Sequence, residues 1–290
     1  MISVASVSKP EIQFHYDLST LFYRLLWGSH IHHGLWEGDE TPEVAQLNLT
    51  DTLAGLSGVK AGDRVIDVGC GMGGSSFRLA KRYGAEVTGI TLSPVQRLWA
   101  GAAARMEGVS GQVTFRRADA EAVEFEKQST DLVWSIECTE HLFDKPAFFQ
   151  RAASWLKPGG RMAICAWLAG PQADKPEGAE QVRRVCEGFL CPSLGSADDY
   201  VCWMQSAGLV AEPVRDWTDR VTETWEICRR RVQQTRVRWL ARVIDRQTTQ
   251  FLDDFTTILE AYRSGAMSYG CFIARKPEAI SKTTSPAAQS

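Results

Sequence analysis

The 290-residue chain has no run of about 18 apolar residues, so no stretch of it reads as a transmembrane helix. The opening residues, Met-Ile-Ser-Val-Ala-Ser-Val-Ser-Lys-Pro, lack a basic segment followed by an apolar one, and no secretory signal is read there. The eight cysteines, Cys70, Cys138, Cys165, Cys186, Cys191, Cys202, Cys228 and Cys271, include no Cys-x-x-Cys pair, which argues against a zinc or dithiol centre. They are scattered, several within apolar runs, and read as reduced thiols acting as small hydrophobes. Charge of one sign is also missing: 32 Lys and Arg stand against 35 Asp and Glu, for a net charge of −3. Nothing in that balance points to nucleic acid as a partner. Internal repeats are absent. The expectation is a cytoplasmic enzyme without stable membrane insertion, compatible with a homo-oligomer.

What is present is ordinary globular composition, 44% hydrophobic and 23% charged, with a high count of ten tryptophans. Large flat side chains suit an aromatic-lined pocket or plain core packing, and composition does not separate the two. Residues 1–40 read as aromatic and irregular, a lid segment. Residues 42–58 carry apolar groups at helical spacing and end near Gly58. A regular alternation follows. Strands are expected at Arg64–Val68, Glu86–Ile90, Val113–Arg116, Leu132–Ile136 and, after a Pro-Gly-Gly turn, Arg161–Trp167. Helices are expected at Ser75–Tyr83, Pro94–Met106 (opened by a Ser93 cap and Pro94) and Lys145–Leu156. Strands alternating with helices of about 10–15 residues mean a parallel α/β sheet. The pattern breaks after Trp167. Gly170–Pro192 reads as an inserted lid, Ala197–Ala207 as a helix, Ala211–Trp217 as a strand, 219–264 as helices and Met267–Arg275 as a last strand. The boundaries that follow are a lid at 1–40, a core at 41–170 and a helical insertion at 171–265 carrying one core strand near 211–217. A final core strand occupies 266–276, and a low-complexity tail, 277–290, is expected to be disordered.

Gly69, Gly71 and Gly74 fit G-x-G-x-x-G directly after a strand and before a helix. Glycines let the backbone turn sharply and approach a ligand, and the helix N-terminus offers free N–H groups. Alone the motif is compatible with NAD, FAD or S-adenosylmethionine. Its surroundings discriminate. Asp67 immediately before the glycines would repel a pyrophosphate but not the ammonium end of a methionine moiety. Where a dinucleotide enzyme would place an acid for the ribose, at the end of the second strand, this chain has Thr91. The balance favours S-adenosylmethionine.

With these residues in view, the chain resembles class I S-adenosylmethionine-dependent methyltransferases. The resemblance is carried by Asp67–Gly74, Gly-Ile-Thr-Leu-Ser-Pro-Val-Gln at 89–96, Asp119-Ala120, Trp134-Ser-Ile-Glu-Cys-Thr-Glu-His141 and Leu156-Lys-Pro-Gly-Gly160. It is closer to small-molecule enzymes of the γ-tocopherol methyltransferase type, near the cyclopropane-fatty-acid and sterol methyltransferases. His30-Ile-His-His-Gly-Leu-Trp36 and 261–270 resemble that type too, so the likeness spans about 14–277. It implies a Rossmann-like, seven-stranded, mostly parallel sheet with helices on both faces, a final antiparallel strand and a helical lid over the active site. It also implies roles. Asp67, Gly69, Gly71 and Gly73 would hold the methionine part, and Thr91, Leu92 and Gln96 the ribose. Asp119 and Ala120 would meet the adenine. Ser135 and Glu137 would lie at the end of the fourth strand, facing the methyl group, and Tyr16 and Tyr23 would close over the cofactor, leaving S-adenosyl-L-homocysteine as product.

Methyl transfer from a sulfonium is an in-line displacement that mainly needs positioning and water exclusion, with a base for the acceptor's proton. Glu137, Glu140 and His141 follow the fourth strand, at the carboxyl end where ligands bind in such sheets. They are the catalytic candidates, although Glu140-His141 could equally cap the next helix. His30, His32 and His33 have no evident carboxylate or cysteine partner, so no metal is expected. Acceptor contacts are expected from His32, Trp36, Trp167, Tyr200, Trp225 and Tyr262. The same aromatics could instead form the insertion's own core. Arg229, Arg230, Arg231, Arg236, Arg238, Arg242 and Arg246 read as a solvated helical face with acidic partners elsewhere, or as a site for a prenyl diphosphate. The acceptor is therefore expected to be small and largely apolar: a prenylated aromatic, a terpenoid or an alkaloid-like molecule of specialised metabolism. The alternatives are C-methylation of a prenyl diphosphate alkene with a Glu quenching the carbocation, an NAD-dependent oxidoreductase, and a non-catalytic S-adenosylmethionine-binding protein.

Overall fold

The apolar runs and their punctuation place most elements within a residue or two of expectation. The computed structural model describes residues 1–17, 30–233 and 246–278, and the side chains of these except at 232–233 and 246–254. In chain order the elements are β1 (Ile2–Ser3), a helix α1 (9–17), α2 (Pro42–Ser57), β2 (Arg64–Val68), α3 (Gly74–Tyr83), β3 (Glu86–Thr91), α4 (Pro94–Met106) and β4 (Val113–Arg117). There follow β5 (Thr130–Ile136), α5 (Lys145–Trp155), β6 (Leu156–Ala169), α6 (Pro176–Gly188), β7 (Ser193–Leu194) and α7 (Ala197–Ser206). The last are β8 (Val210–Ala211), β9 (Arg215–Asp216), α8 (Thr218–Val221), α9 (Glu223–Gln233), α10 (Arg246–Ser264) and β10 (Met267–Arg275).

The main sheet runs β4-β3-β2-β5-β6-β10-β8, with β9 also on β10. Pairs from β4 to β6 are parallel, and β10 is antiparallel to β6, β8 and β9. Among the described residues the sheet therefore has eight strands, where seven were expected. The expected strand Ala211–Trp217 is split into β8 and β9. Pro213, between them, has no N–H to give to a ladder, and an edge tolerates the interruption. The expected Pro-Gly-Gly turn is a bulge inside a longer β6: the β5 register jumps from Thr130↔Leu156 to Leu132↔Arg161, and Gly159 takes φ 74°.

Gly170–Pro192, read from its Gly, Pro and charge as an inserted lid within a helical insertion, is largely helical. It contains α6, whose buried Gly178, Val182, Val185 and Cys186 lie along one stripe, with Pro176 at a first-turn position that suits proline. The first 40 residues likewise hold β1, paired with β7, and α1. Alternating residues of the central strands feed two cores. Trp134 and Cys165 pack on one face with Leu49, Leu79 and Trp225. Val133 and Ile164 pack on the other with Phe148, Trp155, Tyr200 and Phe272. Strands covered on both sides are what a parallel sheet requires.

Candidate active site

Strand β2 has β3 on one side and β5 on the other, so the chain reverses its direction of winding between them. Such a switch point opens a crevice at the carboxyl ends of the two strands. The loop after β2 and the segment after β5 both end there. The crevice has three lobes of about 360, 580 and 510 Å³ that share walls. Ile31, Gly69, Gly71 and Ile136 border the first and second, and Tyr16, Glu137 and His141 border the second and third.

The first lobe lies on the glycine loop. Gly69 has φ 76°, and a Cβ there would fall 2.3 Å from Cys138 Sγ, so only glycine fits. Gly71 has φ 53° with nothing within 4 Å of its Cβ direction, which leaves the backbone open for a ligand's approach. Asp67 is buried beneath the loop, and its carboxylate accepts the Ser76 hydroxyl at 2.5 Å. Burial pushes its carboxyl up to about 7, against the Ser76 bond. A buried carboxylate on the lobe wall has the chemistry to receive an ammonium. Gly73 does not line this lobe, contrary to expectation. Its Cα faces Phe77 and Phe115, and it serves as the left-handed N-cap of α3.

The second lobe is walled by Thr91, Leu92, Ser93 and Gln96. The Thr91 hydroxyl donates to Gln96 Oε1 at 2.8 Å and accepts the Ser93 N–H, while Ser93 Oγ caps α4. Asp17 of α1 accepts the Ser93 hydroxyl, which fixes α1 to the lobe rim. Asp119 and Ala120, expected at the adenine, are not among the residues lining these three lobes. Asp119 is held by Lys9 Nζ at 2.7 Å, and Ala120 packs in the core with Ile66 and Ile90. Ser135, expected to face the methyl group, is fully buried; it donates to the Val68 carbonyl at 3.0 Å and ties β5 to β2. Tyr16 lines the second and third lobes, and Tyr23 lies outside the described residues.

The third lobe holds the three catalytic candidates, each in a different state. Glu137 has φ 52°, a conformation that costs a non-glycine residue about 1–3 kcal/mol and concentrates at functional sites. Its carboxylate accepts the His33 backbone N–H at 2.9 Å, the Tyr269 hydroxyl at 2.8 Å and His33 Nδ1 at 2.9 Å. Burial alone would raise its pKa, but the His33 ring and these donors outweigh that and hold it down at about 2. The Trp225 indole N–H donates to His33 Nε2. An indole N–H only donates, so Nε2 carries the lone pair and Nδ1 the proton. Glu137 thereby accepts three hydrogen bonds, two of them from His33.

His141 is the opposite case. The Leu190 carbonyl, 3.0 Å from Nδ1, can only accept, so Nδ1 carries the proton. Nε2 is then the basic atom, 2.7 Å from the Tyr16 hydroxyl that donates to it. Burial holds the imidazole down to about 4, against the Leu190 bond, and His141 is neutral near pH 7. Glu140 is buried on the same turn. Its Oε1 accepts the Trp167 N–H at 2.5 Å, and burial pushes its carboxyl up to about 8.

Of the expected acceptor contacts, His32, Trp167 and Trp225 line the third lobe. Trp36 lines a separate cleft, where its indole N–H donates to Thr224 Oγ1. Tyr200 is a core residue. It is fully buried against Phe149 and Phe272, with its hydroxyl on Thr139. Tyr262 stands behind His33, ring centroids 5.8 Å apart. Residue patterns missed the fixed roles of His33, Tyr269 and the Leu190 carbonyl. The histidine run at 30–33 was a signal for the first, and nothing marked the other two. Arg229 and Arg230 pair with Glu226 and Glu223, and Arg263 also reaches Glu226, so the helical-face reading accounts for these two. Arg236, Arg238 and Arg242 lie outside the described residues, as does the side chain of Arg246.

Comparison with known proteins agrees with this geometry. Residues 5–269 match the family described as mycolic acid cyclopropane synthetase. The chain is 32% identical to the chloroplastic tocopherol O-methyltransferase of Arabidopsis thaliana over 95% of this chain and 84% of that one. It is 34% identical to the 27-O-demethylrifamycin SV methyltransferase of Amycolatopsis mediterranei over 92% and 97%. In fold it is similar to the geranyl diphosphate C-methyltransferase of Streptomyces coelicolor A3(2), solved with Mg2+, geranyl-S-thiolodiphosphate and S-adenosyl-L-homocysteine. That likeness has a TM-score of 0.74 and 23% identity, and it covers 92% of this chain and 97% of that one. A buried acid under an open glycine turn, a histidine beyond it and these relatives lead to one assignment: the chain is a methyltransferase of the mycolic acid cyclopropane synthetase family, using S-adenosylmethionine.

Proposed function

We propose that the first two lobes hold S-adenosylmethionine and that the third takes a small, uncharged, largely apolar acceptor whose oxygen or nitrogen is methylated. S-adenosylmethionine, when bound, supplies an electrophilic methyl group on a sulfonium leaving group. Asp67 and the backbone at Gly69 and Gly71 would hold its methionine part, and Thr91, Leu92 and Gln96 its ribose. The single observation that carries the acceptor reading is His141: a neutral imidazole with Nε2 basic, on the wall common to the second and third lobes. Nε2 takes the acceptor's proton, directly or across the Tyr16 hydroxyl. The Leu190 carbonyl then stabilises the imidazolium through Nδ1–H. Ile31, Trp167, Phe189 and Trp225 exclude water and contribute apolar contact. Two relatives named as methyltransferases of tocopherol and of a demethylrifamycin support acceptors of this kind.

The C-methylation alternative, with a prenyl diphosphate, has weaker support. Among the described residues the third-lobe wall contains no Lys or Arg, and Arg229 and Arg230 are engaged with acids. A cytoplasmic location belongs to the same reading, supported by eight free cysteines. Among the described residues no helix is long and apolar enough to cross a membrane. The test is kinetic. With a panel of neutral phenols and secondary amines as acceptors, His141→Gln should lower kcat by about 100-fold or more while S-adenosylhomocysteine affinity stays within about threefold. Unchanged kcat in His141→Gln would remove His141 as the base.

A further inference from the structure

Two residues that line the third lobe each carry a buried polar atom without a hydrogen-bond partner among the described residues: Glu140 Oε2 and Trp167 Nε1. Buried polar groups are nearly always satisfied, and an orphan forfeits its hydration with nothing in return. Two orphans on one cavity wall point to a ligand that completes them. Both groups are firmly mounted. The Glu140 carbonyl accepts from the buried Lys145 Nζ, which also reaches Leu142 O and Ser193 Oγ. Glu140 Oε1 is fixed by the Trp167 N–H, and the Trp167 ring is boxed by His33, Phe189 and Trp225 at centroid distances of 5.7, 5.3 and 5.9 Å. Glu137, whose carboxylate is already ionised on the same wall, disfavours a second negative charge there.

We infer that Glu140 and Trp167 form a neutral anchor for one oxygen of the acceptor, the Glu140 carboxyl group and the indole N–H both hydrogen-bonding a hydroxyl or carbonyl oxygen. This role differs from general base: Glu140 keeps its proton while His141 takes the acceptor's. It rests on the reading that the third lobe is the acceptor site, and it narrows the substrate class to uncharged molecules carrying an oxygen on an apolar frame. A site built around buried polar groups rejects an isostere lacking the oxygen much more strongly than an apolar pocket does.

The probes are 1-naphthol and naphthalene, measured by equilibrium dialysis against the full chain loaded with S-adenosylhomocysteine. The wild type should bind 1-naphthol about 30-fold more tightly than naphthalene. Glu140→Gln, whose amide still donates and accepts, should keep most of that ratio, and Glu140→Leu should reduce it to about twofold. Trp167→Phe should reduce it by about fivefold while naphthalene affinity holds. S-adenosylhomocysteine binding by each variant shows that it is folded. If Glu140→Leu binds the cofactor product and keeps the full ratio, the anchor is wrong and the acceptor site stands. If the wild type binds the cofactor product but neither probe, the acceptor-site reading falls and the anchor falls with it.

Discussion

Glu140 and His141 are neighbours in sequence, yet their environments drive them in opposite directions. Burial favours the neutral form of each, and neutral means protonated for the carboxyl and unprotonated for the imidazole. This has a stability consequence for Glu140. Its folded pKa of about 8 lies above its unfolded value, so the folded state binds the extra proton between those two values. Stability from this group is fully present below the unfolded pKa and is lost as pH rises through about 8. Glu140→Gln does not titrate. Between about pH 5 and pH 9 its Tm should therefore gain on the wild type's by about 5 °C, measured by scanning calorimetry at matched ionic strength. A gap independent of pH would mean that Glu140 is ionised in the folded chain. The residue types of this trio were legible in the sequence, but their roles were not. The His141 tautomer is set by a carbonyl 49 residues away, and Glu137 is engaged by a backbone N–H 104 residues away. No local pattern encodes either.

At the scale of elements, Glu137 fastens the residues before α2, the end of β5 and the strand β10, and the Trp225 bond to His33 adds α9. Truncation leaves the His33 N–H, the Tyr269 hydroxyl and the imidazole unsatisfied in a buried place. Glu137→Ala should destabilise the fold by about 3 kcal/mol or more in urea titration, far beyond a typical surface change. A loss under about 1 kcal/mol would show that the network contributes little. The glycine loop makes a second claim at this scale. Gly69→Ala adds a methyl group into Cys138 and strains a φ of 76°, so S-adenosylhomocysteine affinity by calorimetry should fall by at least about tenfold. Gly71→Ala meets no atom of the protein, and its effect on affinity reports how closely a ligand approaches.

The elements themselves were largely readable. Periodicity and caps placed β2, α4 and β10 at their observed ends, because burial on both faces and Pro94 or glycine punctuation act locally. What failed was tertiary. The expected strand Ala211–Trp217 is two short strands, β8 and β9, separated by one proline at an edge. Tyr200 looked like a pocket residue only because aromatic side chains serve cores and cavities alike, and Trp36 lines a different cleft.

For the molecule as a whole, the order β4-β3-β2-β5-β6-β10 brings the glycine loop and the Glu137–His141 turn side by side at one crevice, and the first 40 residues bring Tyr16, His32 and His33 to it. That arrangement separates the proposed cofactor end from the proposed acceptor end and leaves His141 at the boundary. The family and the cofactor follow from the whole chain's likeness to its relatives, whereas the acceptor depends on the third lobe alone. The most direct test of the account is transfer of a radiolabelled methyl group from S-adenosylmethionine to paired acceptors, neutral phenols against prenyl diphosphates, by the wild type and His141→Gln. The account predicts label on the neutral phenols at a rate about 100-fold lower in His141→Gln. Label transferred to the prenyl diphosphates alone, at the same rate in both proteins, would contradict it.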